Sequence, residues 1–175
     1  MVCDVTDENS NEVAVAAALG RFGRLTGAAL NAGIAWSTKI DDPTGLASLK
    51  RNLDVNVLGV ALGLRAALSA LRIAGGGAFT ATASTSGIAG DPTHWQYNAA
   101  KGAVVNLVRS VAVELAPENI RFNAVAPGPT ETGMTAGLLG DGPNPVSELL
   151  RMRIPLHYRG HSASGRGSHG KHRTV

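Results

Sequence analysis

This chain has a single cysteine in 175 residues, Cys3. It can close no internal disulfide, so a reducing cytoplasm is the expected setting. Cys3 itself reads as a small packed hydrophobe rather than a reactive thiol. Aromatic residues make up only 4% and charged residues 17%. With 44% apolar residues, the chain still has enough to bury the core of one domain. It contains no run of eighteen apolar residues, and Asp4 and Asp7 follow Met1 closely. Neither a membrane span nor a secretory leader is therefore expected.

Acid is missing from the last 25 residues. Residues 1–150 hold ten Lys/Arg and thirteen Asp/Glu, a net of −3, whereas residues 151–175 hold six Lys/Arg and no acid, a net of +6. The basic balance belongs to the tail, so no nucleic-acid partner is expected for the body. Four of the five histidines lie there, at His157, His161, His169 and His172. Gly and Ser separate them and neither Cys nor acid accompanies them, so residues 161–175 read as a disordered tail and not as a metal site. Gly165, Gly167 and Gly170 match a dinucleotide-type spacing by accident, because no strand precedes them and no apolar helix follows.

The informative stretch is Tyr97-Asn98-Ala99-Ala100-Lys101. On a helix, the spacing of four stacks the phenol and the ammonium one turn apart on one face. A nearby cation favours the phenolate, so Lys101 is expected to lower the Tyr97 pKa toward a useful range. The pair alone would occur by chance in roughly one sequence in twenty of this composition, so its surroundings decide. Ser84 ends an apolar run, Gly76 to Ser84, that reads as a buried strand opening into a small-residue loop. Open α/β sheets place their chemistry at such strand ends. Asn56 interrupts the apolar helical pattern of Val55, Val57 and Leu58, and Asn123 to Gly128 leads to Thr130 and Thr132.

At these residues the chain resembles the short-chain dehydrogenase/reductase family of nicotinamide-dependent oxidoreductases, from Met1 to about Gly160. The resemblance implies an α/β fold: a three-layer, Rossmann-like, doubly wound parallel sheet. It implies that Tyr97 is a general acid/base that also contacts the cofactor, and that Lys101 lowers the Tyr97 pKa and holds the nicotinamide ribose. It further implies that Ser84 orients the substrate carbonyl and that Asn56 holds a water in a proton relay. NAD or NADP would be the cofactor, and a small alcohol or carbonyl the substrate.

Along the chain, Met1 to Val5 reads as a short strand, with Thr6 or Asp7 able to cap the following helix. By resemblance Asp4 and Val5 meet the adenine, although Asp4 reads equally well as a turn residue. Leu25 to Leu30 reads as a second strand, and Asn31-Ala32-Gly33 matches the family's turn beside the adenine and its ribose. Leu46 to about Ile73 is apolar at helical spacing, as is the helix behind Tyr97. In the family two such helices pair across a two-fold axis, which implies a homodimer or homotetramer. Ile120 to Ala126 reads as the next strand. By resemblance Pro127, Gly128, Thr130 and Thr132 approach the nicotinamide, while His94 and Trp95 face the substrate. Trp36 reads as packing, and Gly133 to Pro145 as a substrate-covering loop.

The family begins with a strand, a glycine-rich turn and a helix that together hold the pyrophosphate. That turn has no counterpart here, and Met1 falls where a third strand would begin. The expected sheet is therefore incomplete, lacking its first two strands and its last, as in a truncated or frame-shifted product. Residues 1–160 are then a partial NAD(P)-binding domain. Two functions follow as expectations: an oxidoreductase interconverting an alcohol and a carbonyl by hydride transfer, or a non-catalytic remnant that serves at most as an oligomerisation partner.

Overall fold

A computed structural model describes residues 1–90, 92, 94–135 and 160–161. The chain divides into two units, residues 1–127 and 128–175. The first contains α1 (Glu8–Phe22), β1 (Gly27–Leu30), α2 (Gly45–Leu53), α3 (Gly59–Ile73), β2 (Gly77–Thr82), α4 (Trp95–Leu115) and β3 (Ile120–Val125). A π turn, Asp54–Leu58, joins α2 to α3, and a 3₁₀ turn, Thr85–Gly87, follows β2. In the second unit, β4 (Thr130–Glu131) pairs in parallel with β5 (Gly160–His161).

The strands of the first unit form a parallel sheet in the order β1-β2-β3, with Ala28 opposite Phe79 and Phe79 opposite Phe122. Parallel neighbours require crossovers, and right-handed crossovers that step in one direction across a sheet put their helices on one face. Burial follows that rule. Phe79, Ala81, Ile120 and Phe122 are buried beneath the helices, whereas Ala29 and Asn123 on the opposite face are exposed. Phe79 and Phe122 meet edge to face, with ring centroids 5.8 Å apart. Val60, Leu64, Leu71, Val104 and Val108 complete the core from α3 and α4.

Local chemistry sets the element ends. Asp7 caps α1 by accepting the Ser10 amide at 2.6 Å, and Gly23 closes that helix in the left-handed region at φ 74°. Met1 to Val5 forms no strand: among the described residues no neighbouring strand completes a ladder for it, and a strand without pairing has no hydrogen bonds to hold it. Its side chains engage α1 instead, the Cys3 thiol donating to the Ser10 carbonyl at 3.6 Å. The long helix over Gly45–Ile73 is apolar and long enough, by length and composition, to cross a membrane. It packs on α1, β1, β2 and α4 as a core helix does. Its pattern is broken once, by the π turn that carries Asn56.

Candidate active site

One glycine brings the C-terminal end of β2 against α4. A Cβ on Gly87 would lie 2.6 Å from the backbone carbon and oxygen of Lys101. Only a residue without a side chain lets the 3₁₀ turn run that close to the helix. Ser84, just ahead of this turn and buried, is thereby set beside α4, where it acts on the Tyr97 phenol to lower its pKa. Ser84 also accepts the Ser86 amide at 3.1 Å. Pro127 meets the same loop, its carbonyl accepting the Thr85 amide at 3.1 Å. In Gly87→Ala, the added methyl group faces backbone that cannot swing aside, which is expected to cost about 1–3 kcal/mol. Urea unfolding measures that cost, and a variant as stable as wild type would show that the close approach is not needed.

Lys101 lies one turn after Tyr97 and is only 3% exposed. Its Nζ donates to the Thr82 carbonyl at 2.6 Å and lies 5.7 Å from the centre of the Tyr97 ring. The Thr82 hydroxyl in turn donates to Asn31 Oδ1 at 2.7 Å, which ties the end of β1 to β2 and the lysine. Gly33 fits between the two sides of this cluster. A Cβ there would come within 2.6 Å of Asn56 Oδ1 and 3.4 Å of Lys101 Nζ.

Burial raises the Tyr97 pKa above its usual value, and the hydrogen bond from Ser84 offsets part of that rise. Burial lowers Lys101 to about 8. This corrects the expectation that Lys101 depresses the tyrosine: with the phenol largely removed from water, desolvation is the dominant effect on both groups. The Asn56 side chain pairs with backbone: its Nδ2 donates to the Ile34 carbonyl at 2.9 Å and its Oδ1 accepts the Ile34 amide at 3.2 Å. The π turn around it is a geometry that recurs at functional sites.

The remaining expected residues divide into two groups. Asp4 is a turn residue whose carboxylate accepts from the Thr6 amide and hydroxyl, at 2.9 and 2.8 Å, and is held below its usual pKa by those bonds. Val5 lies against Gly59, at the head of α3. Asn31 and Ala32 are exposed at the end of β1. His94 Nδ1 lies 3.1 Å from the Pro92 carbonyl oxygen, and the Trp95 ring faces Gly45 at the start of α2. Gly128, Thr130 and Thr132 belong to the second unit, where Thr130 donates to the Gly128 carbonyl at 3.1 Å. Most of the Gly133 to Pro145 loop and of the tail lies outside the described residues. Trp36 is half-exposed rather than packed inside, with the Arg51 guanidinium stacked 3.9 Å from its ring centre.

Two fully buried amides, Asn52 and Gln96, went unnoticed in the sequence. Asn52 donates to the Trp36 carbonyl at 2.8 Å and accepts from Asn56 at 3.4 Å. Gln96 exchanges hydrogen bonds with Thr38. The available signal was a polar residue four positions before Asn56, on the same helical face.

A parallel sheet with a Ser-Tyr-Lys cluster at the end of its middle strand defines a class. A family profile described as enoyl-(acyl carrier protein) reductase matches residues 1–164, and the chain belongs to the short-chain dehydrogenase/reductase family. It is 40% identical over 153 residues to cis-4-hydroxycyclohexanecarboxylate dehydrogenase of Sinomonas cyclohexanicum, which is 87% of this chain and 60% of that protein. It is also 40% identical over 150 residues to a Xanthobacter autotrophicus protein named inactive 2-(S)-hydroxypropyl-CoM dehydrogenase 2, covering 85% of this chain and 65% of that one. A solved structure of ElxO with NADP bound matches with a TM-score of 0.79 at 29% identity, covering 90% of this chain and 63% of the other. The chain thus spans less than two thirds of the length of each of these relatives.

Proposed function

We propose that this chain carries the proton-transfer half of an oxidoreductase that interconverts a small alcohol and a carbonyl, with NAD or NADP as cofactor. Buried Ser84 and a buried lysine converging on Tyr97 carry the reading. Residues present here suit the ribose end of such a cofactor. Asn31 and Ala32 are exposed beside Gly33, and Lys101 has three donors, of which the Thr82 carbonyl takes one. NADP in ElxO and the hydroxy-acid dehydrogenase among the relatives support the same assignment.

When bound, the nicotinamide supplies the hydride in reduction or accepts it in oxidation. Ser84 and Tyr97 then meet the substrate oxygen with hydroxyl donors where charge develops. Tyr97, whose raised pKa keeps it protonated at neutral pH, passes its proton to that oxygen as the carbon becomes tetrahedral. The ammonium of Lys101 offsets the charge left on the phenolate. In oxidation the same proton returns to Tyr97. His94 and Trp95 are assigned to the substrate side, and Gly128, Thr130 and Thr132 to the nicotinamide side. Exposed Leu46 and Val113 on the long helices support pairing as a homodimer or homotetramer, and the reading places the protein in the cytoplasm.

A titration with NADH and NADPH that follows nicotinamide fluorescence tests the reading. Saturable binding is expected, and Lys101→Ala is expected to weaken it by roughly ten-fold or more through lost charge-assisted hydrogen bonds. Absence of saturable binding by a folded chain would overturn the cofactor assignment. It would favour the second reading, a non-catalytic partner, which the inactive relative supports.

A further inference from the structure

We infer that Gln96 and Thr38 form a clamp that positions Tyr97 at the start of α4. The inference rests on the reading of Tyr97 as the acid/base. Tyr97 lies in the first turn of α4, where the first helical bond runs from the Asn98 amide to the His94 carbonyl. The first amides of any helix have no partner within the helix, so its first turn is prone to fray.

Gln96, the residue before Tyr97, is wholly buried. Its Nε2 donates to the Thr38 hydroxyl at 2.6 Å, and its Oε1 accepts the Thr38 amide at 3.4 Å. Buried amides persist where both ends are paired, and this one is paired to a residue 58 positions away. Thr38 stands on a braced loop. Upstream of it, Ile34 is paired in both directions with Asn56, and the Trp36 carbonyl accepts from Asn52 at 2.8 Å and from Ser48 at 3.3 Å. The clamp therefore ties the turn bearing Tyr97 to the π turn that bears Asn56. Gly45 leaves room for it: a Cβ there would meet the Trp95 ring at 3.3 Å and the Thr38 hydroxyl at 3.4 Å. Purely local helix formation would leave Tyr97 free to move away from Ser84, and the clamp removes that freedom.

Tyrosine labelled with ¹³C at Cζ gives a readout that needs no turnover. The chain has two tyrosines, Tyr97 and Tyr158, so Tyr97→Phe assigns the resonances. Gln96→Leu and Thr38→Val are each expected to move the Tyr97 resonance. Each is also expected to lower the titration midpoint of Tyr97 toward the ordinary tyrosine value as the phenol regains water. Thr38→Ser keeps the hydroxyl and restores wild-type behaviour, and the double variant adds nothing to either single one. If the variants lower the melting midpoint but leave the Tyr97 resonance and titration unchanged, the clamp is structural glue and the inference is wrong. Should Gln96→Leu not fold, the contrast between Thr38→Val and Thr38→Ser decides by the same criterion. Because the signal comes from the phenol itself, failure of the catalytic reading would show in turnover and binding and would leave this result standing.

Discussion

Replacing Tyr97 by phenylalanine is expected to lower turnover by roughly 10²–10⁴-fold, the usual contribution of a positioned acid/base. Cofactor affinity should change little. The substitution removes one oxygen from a ring that is partly buried, so packing is kept and only the proton is lost. The Ser84 hydroxyl remains to hold the substrate oxygen, but an aliphatic hydroxyl is a far weaker acid than a phenol and does not replace it. Rate and fluorescence titration together check this: turnover unchanged in Tyr97→Phe would place the proton transfer on another group.

Lys101 is expected to make stability depend on pH in an uncommon direction. Its folded pKa of about 8 lies below the value of ~10.4 for an unfolded lysine. Between those values the unfolded chain binds the additional proton, so stability rises with pH. Two units and more of shift correspond to about 3 kcal/mol. This cost is fully present below pH 8 and is relieved as pH climbs toward 10. Tyr97 acts in the opposite sense: with its folded pKa raised, it withdraws stability as pH rises beyond 10. The gain is therefore confined to roughly pH 8–10. Lys101→Met removes the titrating group while keeping most of the hydrocarbon. Loss of the bond to the Thr82 carbonyl shifts its whole curve by an amount that does not vary with pH. Urea midpoints at pH 7, 8.5 and 10 should climb for wild type and stay level for the variant. Parallel curves for the two proteins would show that burial does not hold this lysine near 8.

Much of the site was legible because its chemistry is carried by unusual residues at fixed spacing. Tyr97 and Lys101 are four apart on a helix, and Ser84 lies two residues past a strand of alternating burial. What stayed hidden depends on partners distant in the chain. Gln96 reads as an ordinary polar residue until Thr38, 58 positions earlier, is placed beside it. Met1 to Val5 has the composition of a strand, but strands exist only through neighbours.

From sequence alone came the α/β class, the order of strands and helices from α1 to β3, the family, and the Ser84, Tyr97 and Lys101 constellation. Periodicity and spacing are properties of a local stretch, and a helix or strand reports them directly. Tertiary structure alone decided the protonation preferences, because burial overrides the pairwise attraction that spacing suggests. It also decided that the Asn56 side chain pairs with Ile34, that Gly87 lets a loop and a helix touch, and that the loop bearing Thr38 reaches the turn bearing Tyr97. Each of these is a contact between segments remote in sequence, and only folding brings them together.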